Sequence, residues 1–172
     1  MEFFPQNALE DYPGGHAFRV NWYVPHLLSM DEQPLYPPVA DQTAVYRLLF
    51  LPTFQRPVVV RLIEADGTWR VVRKCSHGRG GYGPGPLMNE EKRELTSDEV
   101  KQLGVRLSKV EFWDMPSIDK GMGLDGSQAV LEGVREGRYH VVDRWSPRGT
   151  PYAKLVEFLL KLCPNRADIT AF

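Results

Sequence analysis

Pro57-Val-Val-Val-Arg-Leu-Ile-Glu-Ala-Asp-Gly-Thr-Trp-Arg-Val-Val-Arg-Lys-Cys75 decides the fold class. Two runs rich in β-branched residues flank Asp66-Gly67, and Asp-Gly between such runs signals a tight hairpin. Val45-Tyr-Arg-Leu-Leu-Phe-Leu51, just upstream, reads as a third strand, so the segment predicts an antiparallel meander. Arg61, Arg70 and Arg73 are expected on its more solvated face, alternating with Val60, Leu62, Trp69 and Val71.

Residues 77–86 form a glycine-rich loop, read as a mobile connector with Tyr82 as its anchor. Gly78-Arg-Gly-Gly-Tyr-Gly83 has the letters of a dinucleotide loop, but Pro84 and Pro86 block the helix that a pyrophosphate would need. A weak strand follows over 92–95. Thr96-Ser-Asp-Glu99 is a capping box, and Val100, Leu103, Leu107 and Val110 recur at helical spacing, predicting a helix over 97–110. Two further strands are predicted within 127–145, around an Arg135-Glu136-Gly137 turn. Thr150 and Pro151 open a last helix with Tyr152, Leu155, Val156, Leu159 and Leu162 as its buried stripe and Pro164 as its stop.

Upstream of the meander, Pro5, Pro13, Pro25, Pro34, Pro37 and Pro38 leave little room for long regular elements. Phe3, Phe4, Phe18, Trp22, Tyr23, Leu27, Leu28, Leu35 and Tyr36 would nevertheless be costly to leave in water. Residues 1–44 are therefore expected to be an arm that wraps the core, with a short helix near residues 26–30, and residues 45–172 to be a single α+β domain. The predicted fold is an antiparallel sheet of about five to six strands, a meander plus a C-terminal hairpin, with two helices packed on one face.

The chain has 172 residues, with 21 Lys and Arg against 22 Asp and Glu. A net charge of -1 supplies no field for nucleic acid or anionic lipid, so neither nucleic acid nor membrane is expected as a partner. No apolar run approaches the roughly 20 residues of a membrane span, and the first residues lack the pattern of a secretory leader. A cytoplasmic location is expected, although a chain whose leader had been removed would read the same. Cys75 and Cys163 are too few for a disulfide framework; they read either as two buried thiols or as one bridge from the last helix to the sheet. His16, His26, His77 and His140 lack metal-ligand spacing, and the Asp119 to Asp125 turn lacks the calcium-loop pattern, so no metal and no cofactor is expected.

Chemistry-bearing residues concentrate in the C-terminal hairpin: Glu132, His140, Asp143, Arg144 and Trp145. Two registers are open. If opposed residue numbers sum to 272, Glu132 faces His140, and the carboxylate could orient the imidazole as a base beside Arg138. One residue away, Glu132 faces Val141 and shares a face with Asp143. His140, Glu132 and Asp143 are thus the candidate catalytic residues, weighed against a plain cross-strand charge ladder. Ser127 and Ser146 flank the hairpin without an identifiable base or oxyanion hole. Arg144, Trp145, Glu132 and His140, with Tyr82 and Trp22 from loop-rich segments, are the candidate binding residues, because aromatic side chains of that kind anchor protein interfaces.

The chain resembles a family of uncharacterised bacterial proteins through four segments. These are Tyr46-Arg-Leu-Leu-Phe-Leu-Pro-Thr-Phe-Gln-Arg-Pro-Val58, the Gly-Gly-Tyr loop at 80–85, Phe112-Trp113, and Leu-Asp-Gly, Leu-Glu-Gly and Tyr-His-Val-Val-Asp-Arg-Trp-Ser-Pro within 124–147. The likeness spans about residues 22–162 and implies no activity. It departs at Ala129, where a tryptophan is expected. The functional expectation is a non-catalytic domain that binds another protein, an inhibitor or immunity-type protein. The alternatives are a small hydrolase or transferase using a Glu-His pair on the hairpin, and a homodimeric structural protein joined through a sheet edge.

Overall fold

The computed structural model describes residues 2–38, 44–119, 121, 123 and 125–163. Its centre is an open six-stranded antiparallel sheet of β1 (Ala44–Pro52), β2 (Val58–Ala65), β3 (Thr68–Ser76), β4 (Leu87–Glu94), β5 (Ser127–Arg135) and β6 (Arg138–Trp145) in the order β4-β3-β2-β1-β5-β6. Three helices complete an α+β fold: α1 (Gly15–Ser29), α2 (Ser97–Lys109) and α3 (Pro151–Lys161). No helix of the described residues is long and apolar enough to cross a membrane.

Both hairpins turn on two residues with positive φ: Asp66 and Gly67 at 52° and 73°, Glu136 and Gly137 at 52° and 72°. That geometry matches the twist of the flanking strands. It also settles the C-terminal register. Arg135 pairs with Arg138 and Glu132 with Val141, so the numbers sum to 273 and the Glu132–His140 pair is not formed.

Alternation then assigns the faces. Tyr46, Leu48, Phe50, Val58, Val60, Leu62, Val71, Leu131 and Val142 lie on one face and pack under α2 and α3. Thr96 caps α2 in a reciprocal box with Glu99, and Thr150 caps α3 through the Ala153 N–H at 3.0 Å. Arg93 fastens the β4 edge to both helices: it pairs with Glu99, whose carboxyl it pulls down to about 2, and its Nε donates to the Leu162 carbonyl. Pro164, the expected stop of α3, lies outside the described residues. Arg73 is corrected to this apolar face. Arg61 pairs with Val72, so strict alternation places Arg73 in phase with Val71 and Cys75, where it is 2% exposed.

The other face is covered by the N-terminal segment, and here the expectation of a short helix fails. α1 runs for 15 residues with Pro25 inside it. A buried stripe of Gly15, Arg19, Tyr23 and Leu27 at i, i+4 spacing outweighs the lost Pro25 hydrogen bond. Phe3, Phe4, Leu9, Tyr23, Leu27 and Met30 pack on Leu49, Leu51, Val59, Val130 and Val141. Lys74 Nζ donates to the Met30 carbonyl at 2.7 Å, placing a cation at the carboxyl end of α1. The sheet is therefore covered on both faces.

Candidate functional site

The covered polar face holds two buried ionic clusters. In the first, Arg47 and Glu132 lie directly opposite each other across β1 and β5, and Arg47 Nη2 reaches Glu132 Oε2 at 2.6 Å. Glu32, just after α1, reaches Arg47 at 3.4 Å, Arg61 at 3.1 Å and Lys74 at 3.0 Å. The Tyr139 hydroxyl donates to Glu132 at 2.9 Å. Arg47, Glu32 and Glu132 are fully buried. Burial raises the Glu132 carboxyl above its ordinary value, and Arg47 and Tyr139 oppose that rise.

The second cluster joins α1 to β6. Asp143 accepts from the Tyr23 hydroxyl at 2.9 Å, from Arg19 Nε at 3.1 Å, and from the Gln128 amide nitrogen. Arg19 is also bidentate to Asp11 at 2.7 and 2.8 Å and donates to the Leu9 carbonyl. Burial pushes the Asp143 carboxyl up against the pull of Gln128, Tyr23 and Arg19, and raises the Tyr23 hydroxyl well above its usual range. Every carboxylate oxygen of the cluster is thus met by a donor, although its two carboxylates outnumber its one guanidinium.

Beside this second cluster opens a cavity of about 470 Å³, the size of many ligand pockets. Phe18, Arg19, Trp22 and Tyr23 enter from one side of α1, which presents residues four apart together. Thr53 enters from the end of β1, Gly81 and Tyr82 from the glycine-rich loop, and Gly123 from the loop before β5. Gln128 and Trp145, direct cross-strand partners on β5 and β6, complete the lining. Phe18 and Tyr82 form the rim, 51% and 57% exposed.

The loop that bears Tyr82 is docked, contrary to the expectation of a mobile connector. Gly80 N–H donates to the Pro52 and Gln55 carbonyls, Gly81 N–H to the Thr53 carbonyl, and the Trp22 indole to the Gly80 carbonyl at 2.7 Å. A Cβ on Gly80 would sit 2.5 Å from the Leu51 carbonyl carbon, so backbone lies against backbone there. Trp145 is seated in the same way: a Cβ on Gly123 would lie 2.5 Å from its Nε1. Leu124, part of the Leu-Asp-Gly motif, lies outside the described residues.

Of the six candidate binding residues, the structure brings Trp22, Tyr82 and Trp145 together at the cavity. Glu132 lies in the first ionic cluster. His140 and Arg144 point to the opposite face of β6. His140 Nε2 is 3.0 Å from the Met115 carbonyl and its ring packs on Phe112, with burial lowering its pKa. Arg144 donates to the carbonyls of Ser117, Asp143 and Pro116 and lies over the Tyr152 ring. The candidate catalytic trio is therefore separated: Glu132 and Asp143 share a face but each has its own partners, and His140 is on the far side of the sheet. Ser146 Oγ accepts the Ser127 N–H at 3.1 Å. Cys75 and Cys163 are both buried and form no disulfide, so the bridge from the last helix to the sheet is not formed. Among the described residues no three His, Cys, Asp or Glu side chains are grouped to hold a metal ion.

Phe18, Arg19, Thr53 and Gln128 are cavity residues that sequence reasoning missed. The available signal was Phe18 and Trp22 at i, i+4, which becomes visible only if residues 15–29 are read as helix through Pro25. Ala129, where the resemblance departs, is fully buried on the α3 side, opposite Phe50 and Arg144, and is no part of the cavity. Three of the four resemblance segments do reach the cavity, through Thr53, through Gly81 and Tyr82, and through Gln128 and Trp145. Comparison with protein-family models, with curated proteins and with solved structures finds no match to this chain.

Proposed function

We propose that this protein is a non-catalytic binding domain of the inhibitor or immunity type, and that the aromatic cavity is the surface with which it recognises another protein. The observation that carries the reading is the convergence of Phe18, Trp22, Tyr82 and Trp145 around one open cavity with a half-exposed rim. Aromatic side chains clustered at a concave surface are the residues that anchor interfaces, and here a closed ionic cluster and a docked loop hold them rigid. Binding is favoured over a hydrolase or transferase because the ionisable groups beside the cavity are saturated. Asp143 is taken by Tyr23, Arg19 and Gln128, and Arg19 by Asp11 and Asp143. A partner other than a second copy is favoured by the sheet edges. β4 carries Glu90, Glu91, Lys92, Arg93 and Glu94, and the β6 edge is covered where Asp143 N–H donates to the Ser117 carbonyl.

The test is co-purification from lysate of the native host with the tagged wild type and with a Phe18→Ser/Tyr82→Ser variant. Both positions are exposed, so the variant should keep its circular dichroism and melting temperature. A single near-stoichiometric protein held by the wild type and lost by the folded variant is the expected result. A partner retained equally by both would remove the cavity from the interface.

A further inference from the structure

We propose that the cavity takes a tyrosine side chain of its protein partner, with the phenol hydroxyl lodged between Gln128 and Trp145; this rests on the binding reading above. The argument begins with Asp143. Held by Arg19 and Tyr23, its carboxylate accepts hydrogen bonds, so the Gln128 side chain must turn its amide nitrogen toward it. The amide orientation is thereby fixed, and Gln128 Oε1 is left over. Among the described residues no group donates to that oxygen, and none accepts from the Trp145 indole N–H. Gln128 and Trp145 are opposed in the β5–β6 register, so one open acceptor and one open donor stand side by side in the wall of a single cavity.

That pairing selects among guests. A hydroxyl donates to Gln128 and accepts from Trp145 at once, whereas an ammonium or guanidinium offers only donors and a carboxylate only acceptors. Charged guests also find no open counter-ion: every oxygen of Asp11 and Asp143 already has a donor in Arg19, Tyr23 or Gln128, and the net negative charge of this cluster repels an anion. The walls then require a ring. Phe18, Trp22, Tyr23 and Tyr82 leave a serine hydroxyl or a glutamine amide without apolar contact, while a phenylalanine leaves both open polar atoms unmet. Tyrosine supplies the apolar ring and a tip whose single oxygen both donates and accepts, whereas a neutral histidine carries its donor and acceptor on two separate ring atoms.

The experiment uses the full chain, selectively labelled at its tryptophan indoles, titrated with p-cresol, 4-methylanisole, p-toluate and 4-methylbenzylamine. The indole signals of Trp22 and Trp145 should shift saturably with p-cresol, and p-cresol should bind about 10-fold more tightly than 4-methylanisole, which keeps the ring and loses the donor. Gln128→Met should abolish that preference. Because Gln128 also supports Asp143, Trp145→Phe serves as the second variant; it keeps a ring in place and should weaken p-cresol and 4-methylanisole alike. Equal binding of p-cresol and 4-methylanisole, preference for either charged probe, or no shift at Trp22 and Trp145 would each overturn the assignment. If the Phe18→Ser/Tyr82→Ser variant sheds its partner while p-cresol shows no preference, the binding surface stands and the tyrosine falls. If p-cresol is preferred while the partner stays on that variant, the binding surface falls instead.

Discussion

The two faces of the sheet solve the same problem of burial by different means. Under α2 and α3, Leu48, Val60, Leu131 and Val142 meet Leu155, Val156 and Leu159, and the gain is loss of apolar surface from water. Under α1, the strands offer Arg47, Glu132, Lys74 and Asp143 as well as aliphatic groups, and each charge is matched by a partner from the N-terminal segment or a neighbouring strand. Ion pairs buried in this way contribute little net stability, but they punish misplacement. A one-residue slip of β5 against β1 would carry Glu132 to the dry face and leave Arg47 with only its longer ion pair to Glu32. The dry face holds the sheet together, and the polar face fixes the register and the position of α1, and with α1 the cavity wall.

The largest effect should come from breaking a pair on the polar face. Arg47→Met leaves Glu132 buried without its principal partner and should cost about 3–5 kcal/mol in urea unfolding. Arg47→Met combined with Glu132→Leu removes both charges and should recover much of that loss. If the single substitution costs under about 1 kcal/mol, the cluster is solvated and the contrast between the faces is wrong.

On the dry face the corresponding test is overfilling. Gly133 lies against Phe112, where a Cβ would come within 2.6 Å of the ring edge and 3.0 Å of the Tyr46 ring. Gly133→Ala should therefore cost about 1–3 kcal/mol. Gly104 on α2 has nothing within 4 Å of the added Cβ, so Gly104→Ala should raise stability by roughly 0.5–1 kcal/mol through helix propensity. A penalty at both positions would mean that α2 packs more closely on the sheet than its contacts indicate.

This contrast also explains what the sequence made legible. The dry face, the Asp66-Gly67 turn and the Thr96 and Thr150 caps follow local rules of period, turn and capping, and the α+β class emerges from them. The polar face obeys no local rule. α1 was hidden because its buried stripe contains Arg19 and because Pro25 interrupts it, so neither hydropathy nor propensity marks a four-turn helix. The C-terminal register was open because Glu136 adopts positive φ, a conformation more usual for Asn or Asp, and only a two-residue turn makes Glu132 face Val141. Trp22, Tyr82 and Trp145 could be singled out as aromatic groups in unusual segments, but Gln128 could not. Its significance lies in the Asp143 contact across the hairpin.

The finest test of the comparison uses one histidine from each side. His26 on α1 is fully buried, neither ring nitrogen makes a hydrogen bond of normal geometry among the described residues, and burial lowers its pKa, opposed by the Tyr82 backbone nearby. His140 on the dry side is also lowered by burial, but the Met115 carbonyl holds its Nε2 at 3.0 Å and works against the shift. For a base whose folded pKa is depressed, the unfolded chain takes up the proton first. Stability present above pH about 6.5 is then lost as the pH falls below that value. Glu132 and Asp143, raised by burial, act with the opposite sign, since the folded state binds their protons more tightly. Differences between variants therefore isolate the histidines. Urea midpoints at pH 7.5 and 5.5 should fall less in His26→Gln than in the wild type, and His140→Gln should flatten the drop by a smaller amount because of the Met115 contact. The reverse order would make the dry side the more acid-sensitive one. An unchanged drop in both variants would show that neither histidine is depressed in the folded chain.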